Sequence, residues 1–344
     1  MANKVLAFMD TNQDNRWATG EQLLLFQDQD MLFNRGVLEL ARLNLDAAKD
    51  AFNRYQELYH DMDAIDRETK LADFLTKGLS RLPDSCPEKP AHLYSLWTST
   101  ENYLDSIGFG SKNIVSKIKY SFFRKIREAL EQYNLTGAPY ISDTVPTGYV
   151  YIQLKEYSLA IQSLQACIPS TPDNAAIYGY LGDAYMLRGE PGDIGASRQC
   201  YLEASLIDPG GIDWRHIKDT ALLELRDQII KEQNFKDSLA LEWLPSHAYI
   251  GGVFKPKTIK LNAGLKEFVD EYLKIKKAYD KKQASELKAR LFIRSIILCD
   301  NEDSLKFIKR IDFMDIRRLM KDINPDLFRR YLKWIESRNR NKGY

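Results

Sequence analysis

Residues 177–189 read IYGYLGDAYMLRG. Tyr178, Leu181, Gly182 and Tyr185 recur at helical spacing, and Gly189 stops the run. A side chain at Gly182 would hold two packed backbones apart, so the glycine implies a second helix lying against this one. That second helix follows directly. Ser197, Tyr201 and Ala204 make its inner stripe, and Pro209, which cannot continue a helix, ends it.

The same arrangement stands one period upstream. Gly148 and Tyr151 match Gly182 and Tyr185, and Ala160, Leu164, Cys167 and Pro172 complete the copy. The tetratricopeptide pattern, W-x2-L-G-x2-Y…A-x3-F…P, has a period of about 34 residues. Residues 141–209 thus resemble two tandem tetratricopeptide repeats. Two departures stand out. Thr144 and Thr147 occupy positions where large apolar residues are usual, and EPGDIG lengthens the turn inside the second copy. A weaker copy spans about 29–62, with Leu32, Gly36, Leu45, Ala48 and Phe52 at the expected offsets but Glu39 at the tyrosine position and no closing proline.

Almost every other long segment carries the 3.6-residue period, so the expected fold is all-α: antiparallel helical hairpins stacked as a tetratricopeptide-like solenoid, with a C-terminal helical domain. The best strand candidate is the short HAYIGGVFK (247–255). DWRHIKDTALLELRDQIIKEQ (213–233) reads as one long amphipathic helix that caps the repeats. Three regions are expected: 1–135 with the weak repeat, 136–235 with the clear repeats and their cap, and a basic domain over 236–344.

The resemblance implies binding, not chemistry. Stacked hairpins present a concave face that accepts a peptide or an amphipathic helix. By position in the family, the groove would be lined by Val145, Tyr149 and Ile152 in the first repeat and by Asp183 and Met186 in the second. These residues are apolar or neutral except Asp183, so the family's clamp of Lys, Arg and Asn for a terminal carboxylate is missing. The competing reading is that the chain's own terminal helices cover them. The expected function is therefore a non-catalytic scaffold for another protein.

Charge supplies the alternative. Residues 255–344 hold 24 Lys and Arg against 13 Asp and Glu, a net of +11, and the rest of the chain holds 25 against 35, a net of −10. On helices, Lys306, Lys309 and Arg310 would share one side, and Arg329, Arg330 and Lys333 another. Such a face can track nucleic acid or an anionic surface. It can equally dock on acidic surface of the same chain or of a second copy, as a homodimer. Docking ranks first, because opposite net charges attract and no nucleic-acid-binding signature is present.

Other chemistry is sparse. Asp10, Asn12, Asp14 and Glu21 sit at ligand positions of a calcium loop, but the small aliphatic position holds Trp17, and a helix cap, Thr19-x-x-Gln22, accounts for the same stretch better. No metal or cofactor is expected. Cys86, Cys167, Cys200 and Cys299 are dispersed, as are the four histidines. There is no GxSxG, no phosphate-binding loop and no dinucleotide fingerprint, so the chain reads as no enzyme. The lack of an apolar run of roughly 18 residues or a signal-peptide core points to a cytoplasmic protein without a transmembrane segment.

Overall fold

The computed structural model describes residues 20–61, 63, 65–83, 86–259 and 263–342. It is all-α: sixteen α-helices, with neighbouring helices packed as hairpins, and one two-stranded ribbon among the described residues. Packing divides the chain into two compact units between Glu156 and Tyr157. None of the described helices is long and apolar enough to cross a membrane.

The first unit opens with a hairpin of α1 (Gly20–Ala41) and α2 (Leu45–Tyr59). Its tight turn puts Leu43 in the left-handed region at φ 61° and is held by Asn44, whose side chain donates to Glu39 at 2.8 Å. Gly36 faces the Phe52 ring so closely that a Cβ would lie 2.4 Å from it. Helices α3 (Asp66–Ser80), α4 (Lys89–Ser106) and α5 (Lys112–Gln132) follow. Trp97, Phe122, Phe123 and Ile126 are fully or almost fully buried among them, and Ser121 donates to the carbonyl of Ala41 at 2.7 Å at the end of α1. Strands β1 (Tyr140–Ser142) and β2 (Val145–Pro146) pair antiparallel and lead into α6 (Thr147–Gln153). Thr147, odd for its position in the sequence, is buried and donates to the Ala138 carbonyl at 2.6 Å. It is a polar residue with its hydrogen bond made.

The second unit starts with α7 (Tyr157–Cys167), α8 (Ala175–Arg188) and α9 (Asp193–Ile207). Asn174 caps α8, and Gly189 ends it at φ 70°. The lengthened turn is stapled: Arg188 donates to both oxygens of Asp193 at 2.9 and 2.7 Å, and the Glu190 N–H donates to the same carboxylate. At Gly182 a Cβ would come 2.6 Å from the Tyr201 ring, and Ser197 donates to the Gly182 carbonyl at 2.7 Å. Two hairpins, α1/α2 and α8/α9, thus close on the same glycine-against-ring contact.

Beyond Pro209 the structure departs from the expected long helix. Helix α10 spans only Thr220–Gln233, because Asp219 caps it, accepting from the Ala221 N–H at 3.0 Å and from Arg198 at 2.7 Å. Residues 212–219 are turn and extended chain. Helix α11 (Asp237–Ile250) contains the first half of the strand candidate. Gly251 and Gly252 do turn the chain, with Gly252 at φ 74°, but they end a helix instead of joining strands. Then come α12 (Ala263–Lys281), α13 (Ser285–Asp300), the short α14 (Glu302–Leu305), α15 (Phe313–Ile323) and α16 (Pro325–Lys342). Every residue of α13 from Leu291 to Cys299 is buried, which makes it the central rod of this unit.

The glycine contact predicts a stability effect. Gly182→Leu must displace the Tyr201 ring or the α8 backbone, and overpacking of this kind costs ~1–3 kcal/mol. Urea unfolding of the variant should show a lower midpoint than the wild type; an unchanged midpoint would remove Gly182 from the helix contact.

Candidate functional site

Most of the expected groove positions are buried, each within its own unit. Val145, Tyr149 and Ile152 are buried, and the Tyr149 ring stands edge-on to Tyr94 and Phe123 at 6.3 and 5.6 Å between centroids. Asp183 is 2% exposed. Met186 is half-buried. The cover on α8 is not a terminal helix but the stretch 211–218, the end of a 3-10 turn at Gly211 followed by turn and extended chain, which runs along Ala175, Gly179 and Asp183, spaced four residues apart on one face. A Cβ at Gly179 would sit 3.3 Å from Ile212, and one at Gly211 would sit 3.3 Å from Ala175. Tyr180 donates to Asp213 at 3.4 Å, and the Lys218 N–H donates to Asp183 at 2.9 Å.

Asp183 is the electrostatic centre of this face. One of its oxygens accepts both the Lys218 N–H and the Tyr201 hydroxyl, the latter at 2.6 Å. Burial drives its pKa up to about 7 against the pull of these two hydrogen bonds and the Lys218 charge, with Asp213 pushing the same way as burial. The same burial, with the Asp183 charge, raises the Tyr201 phenol further above its ordinary range.

The six basic positions do not form one helical face. Lys306, Lys309 and Arg310 lie in the turns between α14 and α15, because Leu305 ends the first helix and Asp312, accepting from the Met314 N–H at 2.8 Å, restarts the second. Lys306 pairs with Asp303 at 2.6 Å and Arg310 with Asp270 at 2.6 Å. On α16, Arg329 pairs with Asp326, and Arg330 stands 3.4 Å from the His247 ring nitrogen Nδ1. Burial first, then the Arg330 charge, holds His247 down to about 4, so its ring is neutral near pH 7. Lys309 and Lys333 are exposed and make no ion pair among the described residues. Of the calcium-loop positions, Asp10, Asn12 and Asp14 lie outside the described residues, and Glu21 belongs to the first turn of α1.

What the sequence did not single out is a cleft of about 910 Å³ in the second unit. It lies between the end of α9 (Glu203, Leu206, Asp208), α12 (Glu267, Phe268, Glu271) and the buried Arg294 of α13. Asp173 and Lys257 complete its rim. One signal for it was present in the sequence: LFIRSIILC (291–299) carries a lone cation in an otherwise apolar helical run. Comparison of the chain with family models, with characterised proteins and with solved structures returns no match.

Asp183 yields a pH dependence. Its folded pKa of about 7 lies above the ordinary aspartate value of 3.8, so its contribution to stability is complete below pH 3.8 and is lost as pH rises through 7. Asp183→Asn keeps the acceptor oxygen and removes the ionisation. Thermal melts at pH 5 and pH 8 should show the variant gaining on the wild type toward pH 8. A constant difference would mean that the carboxyl titrates as an ordinary one.

Proposed function

We propose that the chain is a non-catalytic interaction scaffold that binds a peptide or helical segment of another protein. The observation that carries this reading is the open cleft of about 910 Å³ walled by α9, α12 and α13 and lined largely by charged side chains. The hairpins α1/α2 and α8/α9 support it from the side of the scaffold. Each closes on a glycine facing a ring, the arrangement expected of tetratricopeptide-like repeats. Because 211–218 already lies along α8 where a groove ligand would lie, the accepting surface is assigned to the cleft instead. A nucleic-acid role ranks below this, since Lys306, Arg310 and Arg329 already face carboxylates within their own unit.

Affinity capture from lysate with three full-length proteins tests the reading: wild type, Glu267→Lys at the cleft, and Met186→Ala on α8. The expected result is a set of proteins retained by wild type and Met186→Ala and lost by Glu267→Lys. No protein captured above the bead control would sink the scaffold reading. Identical sets from all three would move the binding surface away from the cleft.

A further inference from the structure

The cleft has a charge layout that specifies more than its size. Arg294 lines it while being only 5% exposed. Its guanidinium donates to two neutral acceptors, the Leu206 carbonyl in the last turn of α9 and the Arg290 carbonyl at 3.3 Å. No carboxylate lies within ion-pair distance of it among the described residues, whereas Arg290, one turn away, pairs with Glu242 at 2.6 Å. With carbonyls as its hydrogen-bond partners and Glu271 and Glu242 acting on it only from beyond ion-pair distance, this buried cation is incompletely compensated. Its pKa is accordingly lowered to about 10 by burial. Five N–H donors in a planar fork are suited to a carboxylate, and two acceptors leave part of that capacity unused.

A bare anion does not suit the rest of the wall. Most of the lining charges cancel in pairs: Glu203 with Lys257, Glu271 with Lys274 at 3.5 Å, Asp208 with Arg290 at 3.2 Å, Asp270 with Arg310 at 2.6 Å. Beside Arg294, what stays without an ion pair among the described residues is Asp173, Glu267 and Lys266. The wall therefore offers two cations and two carboxylates. Phe268 and Leu206 add apolar surface between them.

Resting on the scaffold reading, we propose that the cleft binds a peptide segment bearing a carboxylate and, within a few residues, a lysine or arginine. The carboxylate seats on Arg294 and the cation on Glu267 and Asp173. A single amino acid would carry both charges but would leave most of 910 Å³ unfilled, so the ligand is a stretch of chain.

The probe is a display library of random nonapeptides, selected on the full-length protein. The consensus is then synthesised with fluorescein in three forms: as selected, with its acid changed to the amide, and with its cation changed to methionine. Anisotropy titrations should show each change weakening binding about tenfold. The acid's effect should vanish in Arg294→Met and the cation's in Glu267→Gln, as a double-mutant cycle requires of partners. If loss of the Leu206 bond unfolds Arg294→Met, exposed Glu267→Lys decides: about tenfold weaker binding of the selected peptide supports the assignment, and unchanged binding overturns it. Selected peptides without a charge pair, or none selected while Glu267-dependent protein capture persists, also overturn it and leave the scaffold reading standing. Absence of both peptide selection and protein capture removes the two together.

Discussion

The second unit turns on the place where the Tyr201 ring lies against Gly182 and its hydroxyl reaches Asp183. The missing Cβ at Gly182 admits the ring, since a methyl group there would overlap it at 2.6 Å. The ring in turn carries its hydroxyl to within 2.6 Å of a carboxyl that is almost fully buried. The same oxygen accepts the Lys218 N–H, which anchors the segment leaving the hairpin back onto α8. Asp219, next in the chain, takes Arg198 of α9 and starts α10. Three elements are thereby held by one close approach. A neutral carboxyl is the favoured state in such a position, because an unpaired buried charge costs far more than a buried hydrogen-bonded acid.

Burial of charge recurs as the organising device of this unit. The buried run of α13, Leu291–Cys299, is apolar except for Arg294 and Ser295, and Arg290 lies one turn before Arg294, both near the end of α9. Arg290 reaches Glu242 and Asp208, tying α11 and the end of α9 to the rod. Arg294 meets the carbonyl end of α9, where the helix dipole favours a cation. The same position opens into the cleft. One side chain thus both closes a helix end and supplies the buried charge on the cleft wall.

The excess of cations in the last quarter of the chain is distributed, not concentrated. Arg310, Arg317 and Arg338 each face a carboxylate of the same unit, Asp270, Glu302 and Asp300. The exposed Arg310–Asp270 pair contributes little to stability, while the other two are partly buried. All three reduce the positive field that the net charge of +11 suggests on paper. A net charge counts residues; a binding face needs them unpaired and on one side, and the turn at 306–312 separates Lys306, Lys309 and Arg310 from any common helix.

Local sequence was enough for the all-α class, for the α1/α2 and α8/α9 hairpins and for their glycine contacts, but not for where α10 begins. Those depend on local period, on the positive φ that Gly189 supplies and on the volume missing at Gly36 and Gly182, all written in neighbouring residues. What each face meets depends on packing between distant parts of the chain. Asp183 reads as a groove residue from its helix position, yet it is covered by the downstream segment that ends at Lys218, whose course depends on Asp219 ending a pattern that otherwise looks helical. The cleft joins Asp173, α9, α12 and Arg294, positions spread over more than a hundred residues, and no periodicity relates them. Steric fit between neighbours is a short-range property of the chain. Burial and charge compensation are set by whatever the fold brings alongside, so they appear only once the helices are packed.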